Sequence, residues 1–579
     1  GALLENPDYE FLDESDAEGV HTGRIVPVYR KLGDLGSRMQ RTLIHRALGA
    51  LDRGALAEQV PAEVAKRHDL LDRLDALRGV HFPPGDADLA ALAERRTAAH
   101  RSLAFEEIFL LQLALALKRK NLHEQGRGIS YEITDALRTR LAGLLPFKLT
   151  GAQKKVLGEI GEDLRSEHCM NRLLQGDVGS GKTIVALLTL LVAVDNGYQA
   201  ALMAPTEILA DQHYRNLRRL FDERGAGYRL GILTGSLRSR HRRRTLEGLA
   251  SGEIQIVVGT HALFEAGVEF HRLGMVVVDE QHRFGVLQRA ALVGKGTRPD
   301  VLVMTATPIP RSLALTFYGD LDLSVIDELP PGRTPIRTVV RREKDRERVY
   351  AGVRKEVERG RQVYVVVPLV EETEKSDLKA ATTLAEDLRT GVFPDLTVGL
   401  LHGRMKGEEK DAVMQEFVAG RIQILVATTV IEVGVDVANA TVMVVEHAER
   451  FGLSQLHQLR GRVGRGSERS YAVLMVGEGP TGRDAHERLT VMEQTTDGFK
   501  IAEKDLEIRG PGMVFGTVQH GITDLQFLYV VLRDPVLLDA ARGEARRLLE
   551  EPTGSERAMR LLTSLRPAWH RRLDLARVG

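Results

Sequence analysis

The chain has 579 residues, and its 80 Lys and Arg side chains balance 80 Asp and Glu, so the formal net charge is zero. This length predicts several domains rather than one, and a 43% apolar share is typical of globular cores. A single cysteine, Cys169, excludes an internal disulfide and favours a reducing cytoplasm. Apolar runs are too short to span a membrane, and balanced charge means that nucleic-acid contacts would have to come from local clusters.

The pattern of apolar residues changes once within the first 145 residues. Residues 1–28 are short and polar and indicate the end of a β-rich domain, with GRIVPVY as its last strand. In residues 29–145 apolar side chains recur at spacings of three and four, which predicts a helical connector packed on a neighbouring domain. The chain begins at Gly1 without Met or a secretion signal, and we therefore expect a fragment.

Two series of short apolar runs, separated by amphipathic stretches, follow Pro146. Near-continuous Val, Ile and Leu strands between helices are typical of parallel sheets that are buried on both faces. We therefore predict an α/β fold of two tandem parallel-sheet domains, residues 146–335 and 336–478, followed by a C-terminal helical region, residues 479–579. Ligands of such sheets bind beyond the carboxyl ends of the strands.

The segment GDVGSGKT, residues 176–183, follows a predicted strand and opens the helix IVALLTLLVAV. In a phosphate loop the glycines let backbone N–H groups surround the phosphates. The lysine reaches the outer phosphates, and the hydroxyl holds Mg²⁺. The sequence therefore predicts a nucleotide and Mg²⁺ site at Gly176, Gly179, Gly181, Lys182 and Thr183.

Two more segments fit the same site. MVVVDEQH ends a strand with Asp279, which we assign to the Mg²⁺ shell, and Glu280, which we assign to the activation of water. PFKLTGAQ offers Gln153, which can pair with the N6 and N7 edge of adenine. It also offers Phe147, which fits either stacking on the base or a place in the core.

Basic residues form two clusters. QLRGRVGRG sets Arg460, Arg462 and Arg465 close together, and one or two of them reaching a γ-phosphate would stabilise the transition state. A solvated or anion-binding turn is the alternative. The run RSRHRRR, residues 238–244, favours a solvated helix face over a track for DNA phosphates. The histidines show no ligand spacing with cysteine, so we expect no structural zinc.

The chain carries, in this order, the segments PFKLTGAQ, GDVGSGKT, APTEILADQH, LTGS, GTHAL, DEQHRFG, TATPIPR, PLVEETEK, LHGRM, ATTVIEVGVDV and QLRGRVGRG. Together these motifs resemble the superfamily 2 helicase core, and more closely the RecG branch-migration helicases. The resemblance covers almost the whole chain and implies two RecA-like domains in an ATP- and Mg²⁺-dependent translocase on double-stranded DNA. It implies remodelling of forks and Holliday junctions in recombination and repair, by a cytoplasmic monomer.

The resemblance also implies roles for residues at matching positions. Arg462 and Arg465 would act as arginine fingers, and Gly434 and Asp436 would face ATP. Thr305 and Thr307 would couple hydrolysis to domain closure. Residues 282–285 would link the nucleotide site to the domain cleft, and APTEILADQH, GTHAL and LHGRM match segments that touch the DNA backbone.

In RecG-like and transcription-repair coupling translocases, a helical hairpin and loop after the second domain pull on duplex DNA. The matching residues here are Arg488, Arg509 and Gln519. The Gly-Pro-Gly break at residues 510–512 fits a loop that swings with each motor cycle. Val518 replaces the more usual Arg and Met513 an acidic residue, which predicts weaker contact between loop and DNA. Only the final stretch of the family's DNA-splitting wedge domain is expected in residues 1–28.

Three other functions stay open. A transcription-repair coupling translocase shares the hairpin, but it would carry a module for binding RNA polymerase. A nucleotide-gated clamp would hold nucleic acid without moving along it. An RNA helicase would show an ATPase activity that responds strictly to RNA.

Overall fold

The computed structural model describes thirteen stretches of the chain. They are residues 20–21, 23–52, 54–124, 128–265, 267–280, 298–306, 321–331, 335–368, 374–428, 437–466, 468–479, 482–509 and 534–563. The chain divides into two compact units. One comprises residues 1–121 and 511–577, and the other comprises residues 122–510 with residues 578–579.

The described part of the first unit is mainly helical and comes from both ends of the chain. Its N-terminal helices are α1 (Ser37–Gly49), α2 (Ala62–Arg67), α3 (Arg73–His81), α4 (Leu89–Ala93) and α5 (Ala98–Glu124). With helices numbered along the chain, its C-terminal pair is α17 (Pro535–Glu550) and α18 (Gly554–Thr563).

A buried carboxylate joins the two ends of the chain within this unit. Glu544 on α17 accepts a hydrogen bond from Arg67, and its Oε1 lies 3.1 Å from Nε2 of His68. Lys120 Nζ donates to the carbonyl of Leu549 at 3.0 Å. The C-terminal helices therefore pack on the connector helices, a partnership that an amphipathic pattern cannot specify, since it shows only that a face is buried.

The second unit contains two parallel sheets. The first sheet has the order β3-β4-β2-β5-β6-β1-β7, and every pairing in it is parallel. Its strands are β1 (Asn171–Gly176), β2 (Gln199–Met203), β3 (Leu230–Leu233), β4 (Ile256–Gly259), β5 (Leu273–Val278), β6 (Asp300–Thr305) and β7 (Asp322–Ile326). The helices around it are α6 (Asp135–Gly143), α7 (Gly151–Arg165), α8 (Lys182–Asp195), α9 (Glu207–Arg224) and α10 (Ser239–Ala250).

The second sheet has the order β10-β11-β9-β12-β13-β8 and is also parallel throughout. Its strands are β8 (Arg337–Arg342), β9 (Gln362–Val366), β10 (Val398–Leu401), β11 (Ile424–Ala427), β12 (Ala440–Val445) and β13 (Tyr471–Val476). The helices that follow in the chain are α11 (Arg346–Glu358), α12 (Glu374–Asp387), α13 (Gly407–Val418), α14 (Leu453–Arg460), α15 (Arg483–Gln494) and α16 (Gly498–Arg509). The predicted α/β fold with two parallel sheets is confirmed.

The two sheets repeat one buried glutamine. Gln199 begins β2, and its Nε2 donates to the carbonyls of Leu249 at 3.0 Å and Ile254 at 2.7 Å. Gln362 begins β9, and its Nε2 donates in the same way to the carbonyls of Phe417 and Ile422. In each domain the amide therefore ties the start of a central strand to the end of a covering helix.

Candidate nucleotide site and coupling hairpin

The phosphate loop joins β1 to α8 as the sequence predicts. Gly179 and Gly181 have φ of 79° and 88°, in the left-handed region that favours glycine. A Cβ on Gly181 would lie 2.2 Å from Nε2 of Gln153. A side chain at this position would therefore displace Gln153 and distort the start of α8, where free N–H groups can bind an anion.

Lys182 begins α8 and is buried beside the loop. Its Nζ donates to the carbonyls of Gly176 at 2.8 Å and Asp177 at 2.9 Å. Burial lowers the pKa of Lys182, and the nearby charges of Glu280 and Asp279 oppose that shift. The ammonium group therefore lies on the loop itself, within reach of any phosphate bound there. Thr183, the next residue, is exposed.

Asp279 and Glu280 follow the end of β5. Burial would raise the pKa of Asp279, but the hydrogen bond and charge of His213 hold it below its ordinary value. The His213 Nε2 lies 2.9 Å from Asp279 Oδ2. Asp279 is therefore ionised at neutral pH and oriented by its partner.

The pKa of Glu280 is shifted in the opposite direction from that of Asp279. Burial raises its pKa, and the charge of Asp279 adds to the increase. Its φ of 54° is left-handed, which turns the backbone directly after the strand. Glu280 Oε2 accepts the N–H of Ala306 at 3.4 Å, which links it to the residue directly after the buried Thr305 that ends β6. A carboxylate with a raised pKa is suited to take a proton from water.

Gln153 is buried at the start of α7, whereas Phe147 is half exposed. Gln153 Oε1 accepts the N–H of Thr150 at 3.0 Å, and Nε2 donates to the carbonyl of Ser180 at 2.9 Å. The amide thus caps its own helix and touches the phosphate loop. Its predicted pairing with adenine stays a prediction, as does stacking by Phe147.

The three arginines of QLRGRVGRG have different environments. Arg460 is buried, and burial lowers its pKa to about 10. Arg465 lies close enough to Lys182 to lower the pKa of the ammonium, and Arg462 lies close enough to Glu280 to lower the pKa of the carboxyl. Charges from the second sheet's domain therefore reach the phosphate loop and Glu280, while the finger role itself stays a prediction.

The hairpin is formed by α15 and α16 and packs on the second sheet's domain. Arg488 Nη2 donates to the carbonyl of Glu449 at 2.9 Å. Ser454 Oγ donates to Asp505 Oδ2 at 3.1 Å. Arg488 therefore anchors α15 to the segment after β12. Its role in DNA coupling stays a prediction.

Several of the predicted residues belong to segments that the structure does not describe. Thr307, residues 282–285, Gly434 and Asp436 lie outside the described residues, as does the loop with Met513, Val518 and Gln519. The backbone of Arg509 ends α16. The arginines of residues 238–244 lie at α10, where Arg242 pairs with Glu265 and Arg243 lies 3.6 Å from Glu247.

Sequence reasoning missed two histidines. His213 lies in APTEILADQH, a segment predicted to touch DNA, yet its ring binds Asp279. His457 on α14 lies 2.6 Å from Asp177 of the phosphate loop. The sequence did contain a signal for a partner such as His457. Asp177 lies in a loop expected to bind phosphates, and an aspartate beside phosphates is unfavourable unless a hydrogen-bond donor or a cation pairs with it.

The chain matches three protein families in order. They are the DEAD/DEAH box helicases over residues 150–316, the helicase conserved C-terminal domain over residues 346–467, and domain 3, C-terminal, of the ATP-dependent DNA helicase RecG over residues 495–566. Among the described residues no helix combines the length and apolar character needed for a bilayer span.

Similar proteins extend beyond this chain. The ATP-dependent DNA helicase RecG of Synechocystis sp. is 47% identical over 95% of this chain and 65% of its own length. The RecG of Streptococcus pneumoniae is 47% identical over 89% of this chain and 75% of its own length. A solved structure of RecG bound to a three-way DNA junction is 44% identical, with a TM-score of 0.69 over 89% of this chain and 66% of that one. The chain thus spans roughly two thirds of the length of these relatives, and it belongs to the RecG family of ATP-dependent DNA helicases.

Proposed function

We propose that this chain hydrolyses ATP between its two parallel-sheet domains and uses the energy to move along double-stranded DNA. Its target would be branched DNA, such as stalled forks and Holliday junctions. The observation that supports this most is electrostatic, because Arg465 and Arg462 of one domain act on Lys182 and Glu280 of the other. A relative at 44% identity that was solved on a three-way DNA junction supports the choice of substrate.

The residues divide the chemistry of ATP hydrolysis among them. Lys182 would exchange its bonds to the carbonyls of Gly176 and Asp177 for the outer phosphates. Glu280, with its raised pKa, would take the proton of the attacking water. Arg462 and Arg465 would stabilise the charge that develops on the transferred phosphoryl group.

The donor atoms at this site fit Mg²⁺. Thr183 offers a hydroxyl and Asp279 an ionised carboxylate, and Mg²⁺ is commonly bound by one or two carboxylates together with substrate phosphates and water. When bound, Mg²⁺ would neutralise charge on the phosphates. His213 would keep Asp279 ionised and in position for it.

The DNA is expected at one edge of the sheets. APTEILADQH, GTHAL and LHGRM lie at or just after the carboxyl ends of β2, β4 and β10. Ligands of parallel α/β sheets bind beyond those ends. Since the target is DNA and the chain has a single cysteine, we propose a cytoplasmic location, and we expect a monomer.

The decisive experiment compares ATP turnover on four nucleic acids: a branched junction, linear duplex, single-stranded DNA and RNA. We expect strongest stimulation by the junction, next by duplex. Displacement of a third strand from a triplex should accompany turnover. Stimulation by RNA alone would favour an RNA helicase, whereas turnover without strand displacement would favour a static clamp.

Two variants control for the site. Lys182→Ala should reduce turnover to background, because the phosphates lose their ammonium partner. Lys155→Ala removes an exposed lysine of α7 and should turn over ATP like the wild type. Near-normal turnover in Lys182→Ala would contradict the assignment of the phosphate loop.

A further inference from the structure

Asp177, the acidic residue of the phosphate loop, contacts two segments that follow strands of the second sheet: helix α14 and the start of helix α16. Asp177 Oδ1 lies 2.6 Å from Nε2 of His457 on α14. Asp177 Oδ2 accepts the N–H of Gly498, the first residue of α16, at 3.3 Å. The loop expected to bind phosphates therefore touches the turn of the hairpin expected to act on DNA.

The protons of this contact can be assigned from its chemistry. Arg460 Nη2 lies 2.9 Å from Nδ1 of His457, and a guanidinium has donors but no acceptor. Nδ1 must therefore accept, which leaves Nε2–H to donate to Asp177. Arg460 Nη1 also donates to the carbonyls of Met492 at 3.1 Å and Thr495 at 2.8 Å, at the end of α15. A second chain of hydrogen bonds thus joins Asp177 to the hairpin.

Close packing accompanies these hydrogen bonds. A Cβ on Gly461, the residue after α14, would lie 2.9 Å from Cβ of Val178. The segment after α14 can therefore approach the phosphate loop this closely only with glycine at position 461. A small cavity of about 90 Å³ remains beside the contact, lined in part by Asp177, His457 and Thr496. Close packing at Gly461 and the hydrogen bonds of Asp177 therefore both hold this segment against the loop.

The charge of Asp177 makes the contact sensitive to phosphate. Burial would raise the pKa of Asp177, but the His457 hydrogen bond holds it below its ordinary value, so the carboxylate is ionised at neutral pH. Phosphates at the start of α8 would repel this carboxylate. Lys182 would also leave the carbonyl of Asp177, which it contacts at 2.9 Å, in order to reach them. Both effects disturb the same residue.

We propose that Asp177, His457 and the N–H of Gly498 form a clamp that positions the α15–α16 hairpin, and that phosphates in the loop release it. The proposal rests on the proposed function, because only a moving hairpin gives the release a purpose. Asp177 and His457 act here as positioning residues. The clamp would make the hairpin's position depend directly on the nucleotide bound at Lys182.

Hydrogen exchange of the turn at residues 495–498 tests the clamp without DNA. We expect MgADP and a non-hydrolysable MgATP analogue to speed exchange there about five-fold in the wild type, since Gly498 loses its acceptor. Asp177→Ala should exchange fast without nucleotide and show no further increase. His486→Gln, at an exposed site on α15, should behave as wild type. A wild-type turn that binds nucleotide without any change in exchange would overturn the clamp.

The number of ATP molecules hydrolysed per base pair moved tests the role of the clamp in coupling hydrolysis to movement. His457→Ala should raise this ratio about five-fold, while His457→Gln, which can still donate to Asp177, should recover part of the loss. If turnover and strand displacement fall in parallel, or if glutamine recovers nothing, His457 is not a positioning residue and the clamp is refuted. A wild-type chain that binds nucleotide but moves no DNA refutes the proposed function instead, and the exchange result alone then decides the clamp.

Discussion

Asp300 is the residue from which we predict a specific pH dependence of the free energy of unfolding. It begins β6, is fully buried, and its Oδ1 accepts the N–H of Met170. The neighbouring Tyr131 hydroxyl donates to the carbonyl of Gly274 at 2.7 Å, and its effect on the carboxyl is smaller than that of burial. Burial raises the pKa of Asp300 from 3.8 to about 7. The folded protein therefore retains a proton that the unfolded chain loses at much lower pH.

The sign and size of the effect follow from linkage. Because the folded pKa is raised, the stability contribution is complete below pH 4 and is lost as the pH rises towards 7. The shift of about three units corresponds to roughly 4 kcal/mol of lost stability at pH 8. Asp300→Asn removes this penalty and keeps an oxygen for Met170, although an unpaired amide N–H would cost about 1–2 kcal/mol. We therefore expect a net stabilisation of about 2–3 kcal/mol at pH 8.

Denaturant unfolding of the two proteins at pH 5 and pH 8 measures this directly. The advantage of Asp300→Asn should shrink by about 2–3 kcal/mol at the lower pH, where the wild-type carboxyl is protonated in the folded state. Asp222→Asn, an exposed change in the same sheet's domain, should track the wild type at both pH values. Parallel pH dependences for wild type and Asp300→Asn, or a less stable variant at pH 8, would refute the reasoning.

Two further substitutions have direct expectations. Glu280→Gln should lower ATP turnover by about 10²–10⁴-fold, since the amide cannot take a proton, and should leave binding of a fluorescent nucleotide nearly intact; lost binding would point to a structural role. Gln362→Met leaves the carbonyl of Ile422 without its donor, whereas the carbonyl of Phe417 keeps the N–H of Gly420, and the change should destabilise the protein by about 1–3 kcal/mol in denaturant unfolding. Gln415→Met, exposed on α13, is the matched control, and an equal effect there would contradict the explanation.

Much of the fold could be predicted because its signals are local. Continuous Val, Ile and Leu runs predicted strands buried in parallel sheets, and the glycines of GDVGSGKT predicted a loop between a strand and a helix, in which Gly179 and Gly181 are left-handed. Asp279 and Glu280 could be found because they directly follow a strand. The opposite pKa shifts of these two neighbours could not be predicted, since they depend on His213 and on burial.

What escaped prediction depends on contacts between distant segments. Glu544 binds Arg67 and His68 near the other end of the chain, and Asp177 binds His457 from the second sheet's domain. Amphipathic spacing marks a buried helix face without naming its partner. In the same way, a charged residue in a motif indicates that it needs a partner, but the motif does not show which residue that partner is.

The three arginines of QLRGRVGRG show how burial separates residues that a motif treats alike. Arg460 is buried and donates to His457, Met492 and Thr495, so at least three of its five N–H groups are already bonded within the second sheet's domain. Arg462 and Arg465 instead lie close enough to Glu280 and Lys182, respectively, for their charges to lower the pKa values of these groups. Since all three lie within six residues of chain, any movement that brings the last two towards ATP must also move the hairpin held by Arg460. The motif therefore combines a charge sensor and a mechanical anchor, and losing Arg460 should separate hydrolysis from movement rather than abolish hydrolysis.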